Sequence, residues 1–166
     1  INVYGKTKLA GEQALKEIMP TDAIIIRTSW LYSEYGNNFV KTMLKLGKER
    51  NELNVVSDQI GSPTYATDLA EAILKIISNK NYQNKEQLTE IYHYSNKGKV
   101  SWYDFAKEIF KIAEVGCKVN PITTQQYPAP ANRPKNTSMS KINIINQYKV
   151  KEKNWKKSLK NMLVDL

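Results

Sequence analysis

Cysteine and histidine are nearly missing: Cys117 and His93 stand alone in 166 residues. An intrachain disulfide is excluded, a zinc centre built on Cys and His has no material, and one cysteine fits a reducing, cytoplasmic setting. His93 lies in the alternating run Ile91-Tyr92-His93-Tyr94-Ser95, where a packed or solvent-facing side chain is expected, so a Ser-His-Asp relay has no support. The carboxylates are scattered, and no metal is expected. Seven glycines nowhere form Gly-x-x-Gly-x-x-Gly after a strand, the turn that lets backbone amides approach a pyrophosphate at a helix N-terminus. A Walker-type phosphate loop is absent too. No apolar run reaches the roughly 18 residues of a membrane-spanning helix, and no secretion signal is visible.

Positive charge, by contrast, is plentiful. Twenty-five Lys and Arg against 16 Asp and Glu give +9, a balance that suits a polyanionic partner or a phosphorylated substrate. Much of the excess falls on Lys149, Lys151, Lys153, Lys156, Lys157 and Lys160, which read as a solvated terminal helix, and no nucleic-acid partner is expected from them. With 41% hydrophobic residues the chain can bury a core, so one globular unit is the starting expectation.

Periodicity places the elements. Val3 to Ile18 reads as a helix with Leu9, Ala10, Ala14, Leu15 and Ile18 on its inner side, and Pro20 marks its exit. Ala23 to Tyr32 is nearly continuously apolar, as a central parallel strand would be, with Thr28-Ser29-Trp30 at its C-terminal end, where ligands collect in open α/β sheets. A helix is expected over 39–49 behind an Asn37-Asn38 start, then a short strand over 53–56 and a loop over 58–64. A helix capped by Thr67 follows, over 67–77. Residues 79–87 read as a surface connection, 91–95 as a strand and 96–99 as a turn. Ser101 and Asp104 form a capping arrangement for a helix through Ile112, read as structural. Val119 to Thr123 reads as a strand, 125–138 as a proline-broken loop, and Trp155 to Leu163 as the last helix.

The most informative pair is Tyr4 and Lys8 in Tyr4-Gly5-Lys6-Thr7-Lys8-Leu9-Ala10-Gly11-Glu12. On a helix a Tyr four residues before a Lys shares its face, so an ammonium stands beside the phenol and stabilises negative charge on its oxygen. Such a pair can move a proton, although the spacing also arises on ordinary solvated helices. With Arg27-Thr28-Ser29-Trp30 behind it, this segment resembles the extended short-chain dehydrogenase/reductases. Asn38-Phe39-Val40-Lys41-Thr42-Met43-Leu44, Asp58-Gln59-Ile60-Gly61-Ser62-Pro63-Thr64 and Asn132-Arg133-Pro134-Lys135-Asn136-Thr137-Ser138 are similar, in order, to segments of the dTDP-4-dehydrorhamnose reductases within that superfamily.

The resemblance implies an α/β fold: the C-terminal part of a Rossmann-like doubly wound parallel sheet plus a small α/β substrate-binding region. Residues 1–35 would end the nucleotide-binding fold, and 36–166 would form mainly the substrate region, with some segments returning to the sheet. It implies reduction of the 4-keto group of dTDP-4-dehydro-L-rhamnose by NADPH or NADH. Tyr4 would be the proton donor, and Lys8 would hold the nicotinamide ribose and favour tyrosinate. Thr28 and Ser29 would approach the nicotinamide end, and Trp30 would pack on the sugar or in the core. Gln59, Gly61 and Thr64 would shape the substrate side or simply stiffen their loop. Arg133 would pair with nucleotide phosphates or with a structural carboxylate. The missing Gly-rich turn, and a start at Ile1 rather than Met, lead to the expectation of a C-terminal piece, inactive by itself, whose carbonyl-polarising Ser or Thr lies upstream. A dTDP-sugar is the expected small-molecule partner, no membrane partner is expected, and a homodimer stays open. Competing readings are an epimerase or dehydratase of the same superfamily, a noncatalytic binding or regulatory protein on this scaffold, and, third, a basic nucleic-acid module.

Overall fold

Short polar side chains start three of the helices, because their oxygens accept a backbone N–H that the first turn leaves free. Asn2 Oδ1 accepts from Gly5 N at 2.9 Å, Asn38 Oδ1 from Lys41 N at 3.2 Å, and Ser101 Oγ from Asp104 N at 3.0 Å. The computed structural model describes residues 2–79, 88–127, 133–164 and 166. The parts of the expected connection and loop that fall on 80–87 and 128–132, Asn132 included, lie outside the described residues. In chain order the elements are α1 (Val3–Ile18), β1 (Ile24–Arg27), β2 (Leu31–Tyr32), α2 (Phe39–Glu49), β3 (Glu52–Val56), β4 (Ile60–Gly61), β5 (Thr64–Tyr65) and α3 (Ala66–Ile77). Then come β6 (Glu90–His93), β7 (Val100–Ser101), α4 (Trp102–Ile112), β8 (Lys118–Ile122), a 3-10 turn at Thr124–Gln126, α5 (Ile142–Tyr148) and α6 (Trp155–Val164).

The α/β class is as expected. Among the described residues the strands form four two-stranded ladders, three of them parallel: β1 with β6, β2 with β5 and β3 with β8. The fourth, β4 with β7, is antiparallel and sets Ile60 opposite Ser101 and Gly61 opposite Val100. Two apolar clusters hold the elements. One gathers Val40 and Met43 of α2, Leu53 and Val55 of β3, Phe105 and Ile109 of α4, and Leu159 and Met162 of α6. The other joins Ala72 and Ile76 of α3, Tyr92 of β6, and Ile144 and Tyr148 of α5, with Ile24 and Ile26 of β1 packed against it.

Several local expectations need correction. The strand foreseen over 23–32 is interrupted at Thr28-Ser29-Trp30, because Trp30 has φ +50° and left-handed backbone cannot continue a strand. The inner side foreseen for α1 is not covered: no residue of that helix is buried, and Leu9 and Ile18 are exposed. Thr67 does not cap α3. The cap position is Tyr65, without a side-chain hydrogen bond, because β5 runs straight into the helix. An unforeseen helix, α5, buries Ile144 and Tyr148 one turn apart.

The turn over 96–99 is more than a surface feature. Asn96 is buried there, accepting from Tyr65 N at 2.8 Å and donating to Asp68 Oδ2 at 2.6 Å. Buried Asp68 also accepts from Ser158 Oγ at 2.5 Å and pairs with Lys153 Nζ at 2.9 Å. Lys153, foreseen as solvated, therefore ties the segment before α6 to α3. Burial lowers the proton affinity of its ammonium, but the hydrogen bonds to Glu71 and Asp68 outweigh that and leave it raised. Gly98, at φ +114°, lies where a Cβ would stand 2.5 Å from the Trp155 ring. The turn is thus bolted to α3 and α6 and offers a fixed edge to the loop that follows β3.

Candidate active site

Tyr4 and Lys8 do share one face of α1, with Lys8 Nζ 5.6 Å from the centre of the Tyr4 ring. Tyr4 is 71% exposed, and Lys8 is exposed as well. The helix is fixed to the body by Arg27, whose Nε and Nη2 donate to the two carboxylate oxygens of Glu12 at 2.7 and 2.5 Å. That bidentate geometry holds the Glu12 carboxyl below its ordinary value. Thr28 and Ser29 leave β1 just beyond this clamp.

From there three of the sequence motifs interlock. Thr28 Oγ1 donates to Thr64 Oγ1 at 3.1 Å, Thr64 Oγ1 donates to the Ser29 carbonyl at 2.7 Å, and Ser29 Oγ donates to the Ser62 carbonyl at 2.9 Å. Thr64 is fully buried, so its side chain braces the loop and does not face a ligand. Ser62 Oγ reaches the Gly98 carbonyl at 2.7 Å and carries the brace on to the bolted turn. On the other side Ile60 N donates to the Lys135 carbonyl at 2.8 Å and Thr137 N to the Ile60 carbonyl at 2.9 Å, which lays the segment after Arg133 alongside β4.

Gly61 has a specific task. A Cβ there would stand 2.5 Å from Trp30 Cε2 and 2.5 Å from Thr137 Oγ1, so only glycine leaves room for the indole. Trp30 stacks on Trp102 with ring centres 3.5 Å apart and planes 11° from parallel, and Phe39 packs against Trp102 at 4.5 Å. Trp30 packs against the larger apolar cluster and stays half-buried at the cluster's edge.

Beyond Trp102 opens a cavity of about 1190 Å³ between α2, β3 and the 3-10 turn. Phe39, Trp102 and Tyr127 give it aromatic wall, and Gln59, Thr42, Asn54 and Gln126 give it amides and hydroxyls. Gln59 is fixed in place by donating from Nε2 to Thr124 Oγ1 at 3.1 Å. Thr124 in turn donates to Asp58 from both Oγ1 (2.7 Å) and N (2.8 Å), and its hydroxyl, more than its backbone, holds the Asp58 carboxyl below the ordinary range. Arg133 and Arg50 also line the cavity, and no described carboxylate pairs with either. Aromatic faces together with guanidiniums free of described carboxylates can bind a planar heterocycle carrying phosphates.

Of the sequence-predicted residues, Gln59 and Arg133 reach this cavity, and Trp30 stands one ring behind its wall. Gly61 seats Trp30 and Thr64 braces the loop, while Tyr4 and Lys8 lie outside the cavity walls. Sequence reasoning missed Trp102, Arg50 and Tyr127. Trp102 was hidden by the capping pattern around it, and its place in the Ser101-Trp102-Tyr103-Asp104 first turn was the only local signal. Among the described residues no group of three His, Cys, Asp or Glu could hold a metal, and no helix is long and apolar enough to cross a membrane.

Comparison with known proteins agrees with this architecture. The chain is 44% identical over 166 residues to the dTDP-4-dehydrorhamnose reductase of Aggregatibacter actinomycetemcomitans, covering 96% of this chain and 56% of the relative. It is 41% identical to the enzyme of that name from Escherichia coli K12, covering all of this chain and again 56% of the relative. A crystal structure of dTDP-4-dehydrorhamnose reductase from Bacillus anthracis in complex with NADP superposes with a TM-score of 0.87 at 43% identity, covering 99% of this chain and 55% of that one. A UDP-glucuronic acid 4-epimerase from Bacillus cereus, at 18% identity and a TM-score of 0.75, shares the fold alone. The chain spans about half the length of the curated relatives it matches. The family described as RmlD substrate binding domain matches residues 1–166, and the chain belongs to that family.

Proposed function

We propose that this protein provides the substrate-binding part, and the proton-donating helix, of an NAD(P)H-dependent reductase that converts dTDP-4-dehydro-L-rhamnose to dTDP-L-rhamnose. The observation that carries the reading is the cavity of about 1190 Å³, in which aromatic rings stand beside Gln59 and two guanidiniums, Arg50 and Arg133, with which no described carboxylate pairs. Thymine fits the rings and amides, and the diphosphate fits the guanidiniums. A division near residue 35, with Tyr4, Lys8, Thr28 and Ser29 on the cofactor side and the cavity on the substrate side, belongs to the same proposal. So does assembly as a homodimer, which light scattering at increasing concentration checks.

The residues fit the nicotinamide end of a dinucleotide: an exposed phenol and ammonium share one helix face, and Thr28, exposed as a residue with its hydroxyl hydrogen-bonded to Thr64, lies beyond β1. NADPH or NADH, when bound, supplies the hydride. The Bacillus anthracis relative was solved with NADP, which favours the phosphorylated form. As the C4 carbonyl becomes an alcohol its oxygen gains negative charge, and the Tyr4 O–H donates a proton to it. The Lys8 ammonium offsets the charge left on the phenolic oxygen and donates hydrogen bonds to ribose hydroxyls. Thr28 and Ser29 orient the ring edge, while Trp30, seated on Gly61, presents an apolar face to the sugar.

Two measurements test this. The 166-residue chain should bind dTDP in a calorimetric titration, and Arg133→Ala should weaken that binding about tenfold, the loss of one charge-assisted pair. A chimera in which residues 1–166 replace the matching part of the Bacillus anthracis reductase should oxidise NADPH with dTDP-4-dehydro-L-rhamnose, whereas the 166-residue chain alone should not. Absence of dTDP binding, or a chimera that recycles its cofactor and releases an epimer, overturns the assignment.

A further inference from the structure

Resting on the nucleotide-sugar reading of the cavity, we propose that Trp102 is a specificity-determining residue that couples the nucleotide cavity to the sugar-facing Trp30. One indole does both jobs. Trp102 forms part of the cavity wall, and it carries the near-parallel Trp30 ring at 3.5 Å.

The local fold leaves Trp102 little freedom. Ser101 caps α4 through Asp104, and β7 pairs with β4 so that Ser101 lies opposite Ile60 and Val100 opposite Gly61. The residue that seats Trp30 and the residue that stacks on it are therefore held by one ladder. Phe39 at 4.5 Å packs Trp102 from α2. Trp30 itself has a left-handed backbone, φ +50°, tied by Thr64 N to its carbonyl at 3.1 Å. Bulky residues hold such backbone only when their surroundings fix it. Without the Trp102 face, the Trp30 indole loses its largest flat contact and swings into the space Trp102 vacates. The nucleotide would keep its guanidiniums and Gln59, but the sugar would lose its wall.

The experiment compares dTDP with dTDP-L-rhamnose on the 166-residue chain by calorimetry, taking the ratio of the two dissociation constants as the contribution of the sugar. Wild type should bind the sugar nucleotide more tightly than dTDP. Trp102→Ala should reduce that ratio about three- to tenfold, the range for a lost aromatic pair. Trp30→Ala should reduce it equally, and the double variant should fall no further than either single one. Trp102→Phe retains an apolar ring in the fold and should lose part of the ratio, with an altered indole emission from Trp30, even if the alanine variant does not fold. An unchanged ratio in Trp102→Phe or Trp102→Ala, or losses that add in the double variant, overturns the coupling. Wild type that binds neither ligand sinks the nucleotide reading instead, a different and distinguishable result.

Discussion

The helix that carries Tyr4 and Lys8 and the body that holds the cavity are built on opposite terms. Around the cavity, α2, β3, α4 and α6 share a continuous apolar cluster in which Phe105 is fully buried against Tyr32, Phe39 and Trp155. By contrast α1 buries none of its residues, leaves Val3, Leu9 and Ile18 exposed, and is held to β1 by the Glu12–Arg27 clamp. In the proposed reading, recognition falls to the region with the continuous packed cluster, and proton transfer to a pair whose relative placement is set by a single helical turn. In that division of labour, substitutions on α1 should change chemistry without changing stability, and substitutions around the cavity should do the reverse or both.

The sharpest way to break the comparison is Tyr4→Phe in the Bacillus anthracis chimera. Turnover should fall by about 10²–10⁴-fold, the usual contribution of a positioned acid, with dTDP binding and melting temperature little changed because phenylalanine keeps the ring and removes only the hydroxyl. Steady-state NADPH oxidation and a thermal melt read the two sides. Retained turnover would remove Tyr4 from the reaction. On the other side, Phe105→Ala should lower stability by about 3–5 kcal/mol, since it empties a fully buried ring site at the centre of the aromatic cluster. Leu9→Ala on α1 should cost well under about 1 kcal/mol, with denaturant titration of both variants as the measure. Equal losses would mean that the helix is as firmly packed as the body.

Most of the elements were legible in the sequence, and what was hidden was hidden for a physical reason. Helices α2 and α4 announce themselves through a cap residue followed by apolar positions one turn apart, and α1 through the same periodicity, because those signals are local. Whether a stripe is covered is not local, which is why Leu9 and Ile18 were expected to be inside. Trp30 interrupts its strand through a left-handed backbone, stabilised by Thr64 from a distant loop, and nothing in Arg27-Thr28-Ser29-Trp30 encodes that. Asn96 and Lys153 read as turn and surface residues, yet Asp68 buries the first and captures the second. Helix α5 was missed because its seven residues include Asn143, Asn146 and Gln147, and asparagine is a poor helix former. The Tyr4–Lys8 pair was legible because one helical turn is enough to define it.

Three intermediate effects sharpen the boundary within the body. Asp68→Ala should cost about 3 kcal/mol, because buried Asn96 and Ser158 lose their acceptor together. Lys153→Ala should cost about 1 kcal/mol or less, its side chain being 39% exposed and its charge partly solvated. Chemical denaturation ranks the two, and the reverse order would mean that the ammonium rather than the amide network holds the turn. Gly61→Ala should cost about 1–3 kcal/mol, as an overpacked site does, and should shift the fluorescence of Trp30, whose indole would have to move.

A small effect falls on the Glu12–Arg27 clamp between the two regions. Arg27 holds the folded Glu12 carboxyl below its unfolded value, so the pair contributes stability at any pH above that unfolded value, near 4.3. As pH falls through the lower, folded value the carboxylate is protonated and the contribution is lost. Because Arg27 is 42% exposed, the difference should be at most about 1 kcal/mol and should shrink in high salt. Melting curves of wild type and Glu12→Gln should therefore differ at neutral pH and converge as the pH is lowered through the folded value. Hydrogen exchange should show the loss in α1 and not in α4, because α4 is held by its apolar contacts and α1 has none that are buried. If acid instead loosens α4 first, the stability of the cavity region depends on carboxylates rather than on its packed rings, and the two regions are less different than their burial implies.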